Sequence, residues 1–255
     1  MKYHKVKKGI FQKREKRFIG YVELDGEVHK VHVKQTGRCE ELLIPGVEVF
    51  VETAVNPNRK TKYTLISVIK PNGRLVNIDS QVPNKMFHDA LIEGLALSGF
   101  DRPYNITPES TWGNSRFDFK LESKYPDTKD NKTGVTNSSK QPINNTELLP
   151  QTAYIEVKGV TLEEDGVVIF PDAPTERGLK HVRELIRAKE EGYAAYVVFV
   201  IQLEKIKYFT PNKKTDPALS EALKEAQSKG VQILAFDSVV TEDSIRLGKP
   251  VSIRL

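Results

Sequence analysis

Two carboxylates and a lysine form the strongest chemical pattern in this chain of 255 residues. Asp118 stands in SRFDFKLE, and Glu156 and Lys158 stand two positions apart in YIEVKGVTL. In an extended segment, residues two apart project from the same face. Glu156 and Lys158 therefore point together, while Ile155 and Val157 point into the opposite layer. Two carboxylates can hold a hard divalent ion, Mg²⁺ or Mn²⁺, through oxygen ligands. A neighbouring ammonium can orient water or stabilise charge developing on a phosphate. Read this way, Asp118, Glu156 and Lys158 are a coherent hydrolytic half-site. A Glu-x-Lys pair on a strand is equally the pattern of a solvated ion pair, and the residues alone leave both readings open.

These groups need a scaffold, and the surrounding pattern supplies one. A helix is expected from Asn84 to about Leu97, with an apolar face that includes Met86, Phe87 and Leu91 and with Gly99 as terminator. Glu93 on this helix is either a further metal-associated acid or an exposed helix glutamate. FDFKLE (117–122) and AYIEVKGV (153–160) read as strands. Between them, about 123–150 is rich in Asp, Asn, Lys, Ser, Thr and Pro, the composition of a polar insertion. A second helix runs from Glu176 to about Glu191, with Thr175 as cap, Gly192 as stop, and Val182, Leu185 and Ile186 on its buried side. The apolar run Ala195–Leu203 reads as a central strand covered on both faces. A third helix at about 216–229 and the strand VQILAFDSV complete an α/β region, with SIRL either a short edge strand or simply the close of its boundary. Helix, strand with Asp, strand with Glu-x-Lys, helix, strand is a succession that resembles the PD-(D/E)XK nuclease superfamily.

The first 80 residues read differently. Short strands are expected at 18–24, 29–35, 47–54, 63–70 and 75–79, with breaks at Asp25-Gly26 and Pro45-Gly46. That spacing fits a small barrel, and an SH3-like barrel or a sheet sandwich fits nearly as well. The charge is segregated. Residues 1–80 hold 16 Lys/Arg against 9 Asp/Glu, whereas the rest hold 23 against 25, so the whole surplus of +5 comes from the N-terminal part. A basic module suggests a surface for a polyanion. Lys13, Arg14, Arg17, Lys34 and Arg38 are its candidate DNA-binding residues. Phe11 and Phe18 lie among them, each a stacking or a core side chain.

Five segments in order resemble the SfsA family of sugar fermentation stimulation proteins along nearly the full length: KREKRFIGYVE, QTGRCEELLIPG, SRFDF, IEVKGVTL and FPDAPTERGLKHVREL. The resemblance implies an α+β two-domain protein. Its first part is an N-terminal OB-fold β-barrel (1–82), and its second an α/β PD-(D/E)XK nuclease-like domain (83–255). It assigns Asp118 and Glu156 to the acidic positions and Lys158 to the lysine position, and it places Arg177, Lys180 and His181 in the TERGxKH segment. Arg177 and Lys180 are then candidates for phosphate or substrate binding, and His181 for holding substrate or a carboxylate.

Two functions follow as expectations. One is DNA binding with a Mg²⁺- or Mn²⁺-dependent nuclease centre. The other is DNA binding without cleavage, as a regulator of sugar-metabolism genes. A homodimer would let two centres address both duplex strands. No residue pattern supplies a carbohydrate pocket, so direct sugar binding is not expected. A single cysteine, Cys39, excludes an internal disulfide. AAYVVFVIQL, the best apolar run, is too short to span a bilayer, so a cytoplasmic protein is expected.

Overall fold

The computed structural model describes residues 1–35, 37–56, 58–100, 103–124 and 150–255, so most of the expected polar insertion lies outside the described residues. The N-terminal part contains β1 (Val6–Glu15), β2 (Ile19–Leu24), β3 (Glu27–Val33), β4 (Glu48–Thr53), β5 (Tyr63–Ile69) and β6 (Leu75–Asn77). Their order is β3-β2-β1-β4-β5-β6, and a parallel pairing of β3 with β5 closes the sheet. The closed, OB-fold-like barrel decides against a sandwich. β1 is the strand that sequence reading missed, although it pairs with both β2 and β4. Its residues, VKKGIFQKRE, look polar because only Gly9 and Phe11 are buried. Gly9 is required there: a Cβ would lie 2.5 Å from the Glu23 carbonyl. Phe11 is core, not a stacking surface.

The second part contains α1 (Val82–Ile92), β7 (Tyr104–Trp112), β8 (Ser115–Ser123), β9 (Thr152–Val160), β10 (Glu163–Glu164), β11 (Val167–Phe170), α2 (Glu176–Glu190), β12 (Ala194–Ile201), β13 (Tyr208–Pro211), α3 (Pro217–Ser228), β14 (Gln232–Val240) and β15 (Ile245–Pro250). Its main sheet runs β15-β14-β12-β9-β8-β7, with β9, β12 and β14 parallel and antiparallel neighbours at each side. Every residue of β12 is buried, as a strand covered on both faces requires. α1 packs on β9 and β12 from one side, while α2 and α3 pack together on the other.

The helix ends have local causes. Thr175 accepts the Gly178 amide at 3.0 Å, a cap that contributes about 1 kcal/mol. Glu176 lies in the first turn of α2 and Arg187 and Lys189 in the last, as the helix dipole favours. α1 stops at Ile92 rather than near Leu97, because Gly94 turns to φ 92° directly after the Glu93 cap. The C-terminal edge strand is β15, not SIRL; there only Ile253 bridges, to Phe209.

Barrel and sheet share their cores. Tyr3, Phe50 and Ile66 of the barrel region pack with Met86 and Phe87 of α1 and Ile155 of β9. The N-terminal ammonium donates to the Ile245 carbonyl at 2.8 Å, which latches the chain start to β15. Among the described residues no helix is long and apolar enough to cross a membrane.

Candidate functional site

β8 and β9 pair regularly from Glu122↔Thr152 to Phe119↔Ile155, and the ladder ends there. Asp118 follows directly. Its Oδ2 accepts the Val157 amide at 2.7 Å, so a carboxylate takes the place of the next strand pairing. Its Oδ1 accepts from Asn84 Nδ2 at 2.7 Å, at the first turn of α1. The end of a ladder thus brings a carboxylate beside the middle of β9. Asn84 carried no signal in the sequence, since an asparagine near a helix start is ordinary.

Glu156 is buried on the α2 side of β9. Its Oε1 lies 2.5 Å from both Lys158 Nζ and His181 Nδ1. Lys158 donates a hydrogen bond, whereas the His181 approach lacks hydrogen-bond alignment. Among the described residues, Glu156 Oε2 has no hydrogen-bond partner. An imidazole edge against the Phe117 ring helps fix His181 (centroids 6.0 Å apart). Burial, and then the charge of Glu156, push the Asp118 carboxyl above its ordinary range. Burial also raises Glu156, but His181 and Lys158 outweigh it and hold that carboxyl below its ordinary range.

The donor chemistry fits a hard divalent cation. A buried and a half-buried carboxylate repel each other, one oxygen has no partner among the described residues, and both acids retain unused lone pairs. Still, among the described residues no group of three His, Cys, Asp or Glu side chains is arranged to hold a metal ion. Glu93 is not brought to this cluster. It caps the far end of α1 from Asn84, about 13 Å along the helix axis, where it lines a cavity with Met1 and Arg246.

The other expected residues divide. His181 joins the centre. Lys180 Nζ donates to the Asn114 carbonyl at 2.6 Å, and buried Glu184 accepts the Asn114 amide, so α2 grips the β7–β8 turn. Arg177 is exposed in the first turn of α2.

On the barrel, Arg14 is consumed by structure. Its guanidinium donates to the carbonyls of Arg17, Gln35, Gly37 and Arg38, tying the β1–β2 turn to those last three residues. Lys34 pairs with fully buried Asp79 at 2.9 Å. Lys13 lies over the Tyr21 ring, 5.0 Å from its centroid. Arg17 and Arg38 are exposed and line one cleft between barrel and sheet. Lys13, Arg17 and Arg38 are therefore exposed on the barrel, while Arg14 and Lys34 are held in internal contacts.

Known proteins can be set beside this geometry. The model described as the SfsA N-terminal OB domain matches residues 13–78. The model described as the sugar fermentation stimulation protein RE domain matches residues 81–244. The sugar fermentation stimulation protein homolog of Desulfitobacterium hafniense (strain DSM 10664 / DCB-2) is 49% identical over 255 residues, covering 100% of this chain and 99% of that protein. The homolog from Clostridium beijerinckii is 46% identical over 247 residues, covering 97% and 96%. The structure of Pyrococcus furiosus SfsA in complex with Ca²⁺ matches with a TM-score of 0.79 and 26% identity, covering 100% of this chain and 98% of that one.

Proposed function

The chain belongs to the SfsA family, and from that premise we propose that it is a DNA-binding protein with a divalent-metal-dependent phosphodiesterase centre at Asp118, Glu156 and Lys158. One observation carries the reading: the end of the β8–β9 ladder sets a second, half-buried carboxylate beside Glu156, whose Oε2 has no hydrogen-bond partner among the described residues. The Pyrococcus relative is in complex with Ca²⁺, which supports a divalent cation for this chain as well. Asp118 and Glu156 would hold Mg²⁺ or Mn²⁺ in this chain. Such an ion supplies Lewis acidity toward a phosphoryl oxygen and lowers the pKa of bound water.

The protein groups do the rest. Asn84 and the Val157 amide fix Asp118. His181 and Lys158 crowd one oxygen of Glu156 and leave the other for a ligand. Lys158 retains partial exposure, so its ammonium reaches both Glu156 and an incoming phosphate. The surplus charge of residues 1–80 supplies sequence-independent attraction for the DNA backbone.

A second reading keeps DNA binding without cleavage. Among the described residues Asp118, Glu156 and His181 do not form a three-ligand metal group, which favours it. Purified protein incubated with labelled duplex, single-stranded and branched DNA, with Mg²⁺, Mn²⁺ or chelator, separates the two. Metal-dependent products that disappear in folded Glu156→Ala and Lys158→Ala variants support the enzyme. Intact DNA despite wild-type binding supports the regulator.

A further inference from the structure

The cleft that separates barrel from sheet has a composition the metal centre does not explain. Its volume is about 310 Å³, within the range of a small-molecule site and comparable with one mononucleotide. Arg17, Gln35 and Arg38 wall it from the barrel, and Thr161, Asp172 and Thr175 wall it from the sheet. Its floor includes Gly159, the residue after Lys158, so it opens at the carboxyl end of the strand that carries the centre.

A site for phosphate alone would have no use for Asp172. Two exposed cations, a carboxylate, an amide and two hydroxyls match a whole nucleotide instead. Cations take flanking phosphates, while carboxylate and amide address a base edge. A base can present that edge only when it is unpaired or displaced from its stack. Gly37 keeps the cleft open, since a Cβ there would lie 2.7 Å from Asp172 Oδ2.

Next to this cleft is an exposed aromatic surface. The Phe18 ring is 45% exposed. The Arg17 guanidinium lies 5.9 Å from its centroid, and the His32 ring lies 6.4 Å away at 32°. Burial and then the charge of Arg59 depress the His32 imidazole, which favours the neutral ring. Arg17 belongs to both features, so aromatic surface and cleft are continuous. Exposed aromatic surface bordered by cations is the chemistry that stacks unpaired bases.

We propose that the protein selects unpaired strands: one nucleotide sits in the cleft between barrel and sheet, and an adjacent base stacks on Phe18. The strand then runs from the barrel toward Glu156 and Lys158. This rests on the DNA reading above and adds strandedness to it. The test is fluorescence anisotropy of the full chain, in chelator, with labelled oligothymidylate, a blunt duplex and a duplex bearing a single-stranded tail. Wild type should bind the oligothymidylate and the tailed duplex more tightly than the blunt one. Phe18→Ala should cost about tenfold on unpaired substrates and less than about twofold on the blunt duplex, while Phe18→Tyr retains binding. Arg38→Ala should reduce the salt slope on oligothymidylate by about one. Binding to blunt duplex that equals or exceeds the others, or equal losses on all substrates in Phe18→Ala, would overturn the inference and leave the DNA reading standing. Binding to no DNA would overturn both.

Discussion

Glu156 in β9 and Glu163 in β10 are two buried glutamates that face lysines, yet their surroundings are built on opposite principles. Glu163 is satisfied at both oxygens. Oε2 accepts from Lys70 at 2.5 Å, and Oε1 accepts from Arg74 at 2.8 Å and from the Gly166 amide at 2.5 Å. Lys70 and Arg74 come from the β5–β6 hairpin, so the cluster fastens barrel to sheet. Among the described residues Glu156 has its neighbours on one oxygen and none on the other, and it stands close enough to Asp118 to add to the burial that raises that carboxyl. A buried acid that serves the fold is fully hydrogen-bonded, because an unpaired polar atom costs stability. A buried acid that leaves an oxygen unpaired beside another acid is arranged for something that arrives later.

The largest expected effect separates the two by activity. If DNA is cleaved, Glu156→Ala should lower the rate by about 10²–10³-fold, while Glu163→Gln should leave the rate per folded molecule within about twofold. Time courses normalised to folded protein check both. Stability should reverse that ranking. Glu163→Gln strands Lys70 and Arg74 and should cost about 3 kcal/mol, a drop in Tm of roughly 6–12 °C by scanning calorimetry. Glu156→Gln should cost less than about 1 kcal/mol, because one of its oxygens has no partner to lose. Equal losses would break the distinction between fastener and site.

A smaller effect concerns the cation. Ca²⁺ or Mg²⁺ at about ten times its Kd should stabilise wild type by about 1.4 kcal/mol, or roughly 3–5 °C. Neither Glu156→Gln nor Asp118→Asn should respond. A shift that persists in both variants would place the ion elsewhere.

The smallest effect is a difference in sign with pH. Burial pushes the Glu163 carboxyl up, but Lys70, the Gly166 amide and Arg74 prevail and hold it below its ordinary range. Its contribution is present above the ordinary glutamate range and is lost as pH falls through the depressed value. Asp118 is raised, so its contribution is present at low pH and is lost as pH rises through the raised value. On acidification the stability advantage of wild type over Glu163→Gln should shrink, while its standing against Asp118→Asn should improve. Urea denaturation across an acid pH series measures both.

The barrel teaches the same lesson in cations. Arg14 and Arg17 have the same residue type three positions apart, yet one guanidinium closes loops through four carbonyls and the other borders a cleft. Both lay in one basic run, and nothing in residue type distinguished them. The apolar signals were more reliable. β12 was legible from an unbroken apolar run, and α2 from its periodicity between Thr175 and Gly192. β1 was not, because two inward residues among lysines give no alternation to read. β7, with most of its residues exposed at the sheet edge, hid for the same reason.

The sequence by itself determined the local matters: where α2 starts and stops, which strand is covered on both faces, and that Glu156 and Lys158 share a side of β9. These follow from side-chain periodicity and capping, which act over a few residues. It also carried the family, through five motifs in order. Only the tertiary structure decided that Asp118 meets Glu156 where a ladder ends, that Glu93 stays at the other end of α1, and that Arg14 is structural. It alone joined Phe18, Arg38 and Asp172 along one surface. Those outcomes depend on contacts between residues tens of positions apart, set by how barrel, sheet and helices close on shared apolar cores, and no local pattern encodes them.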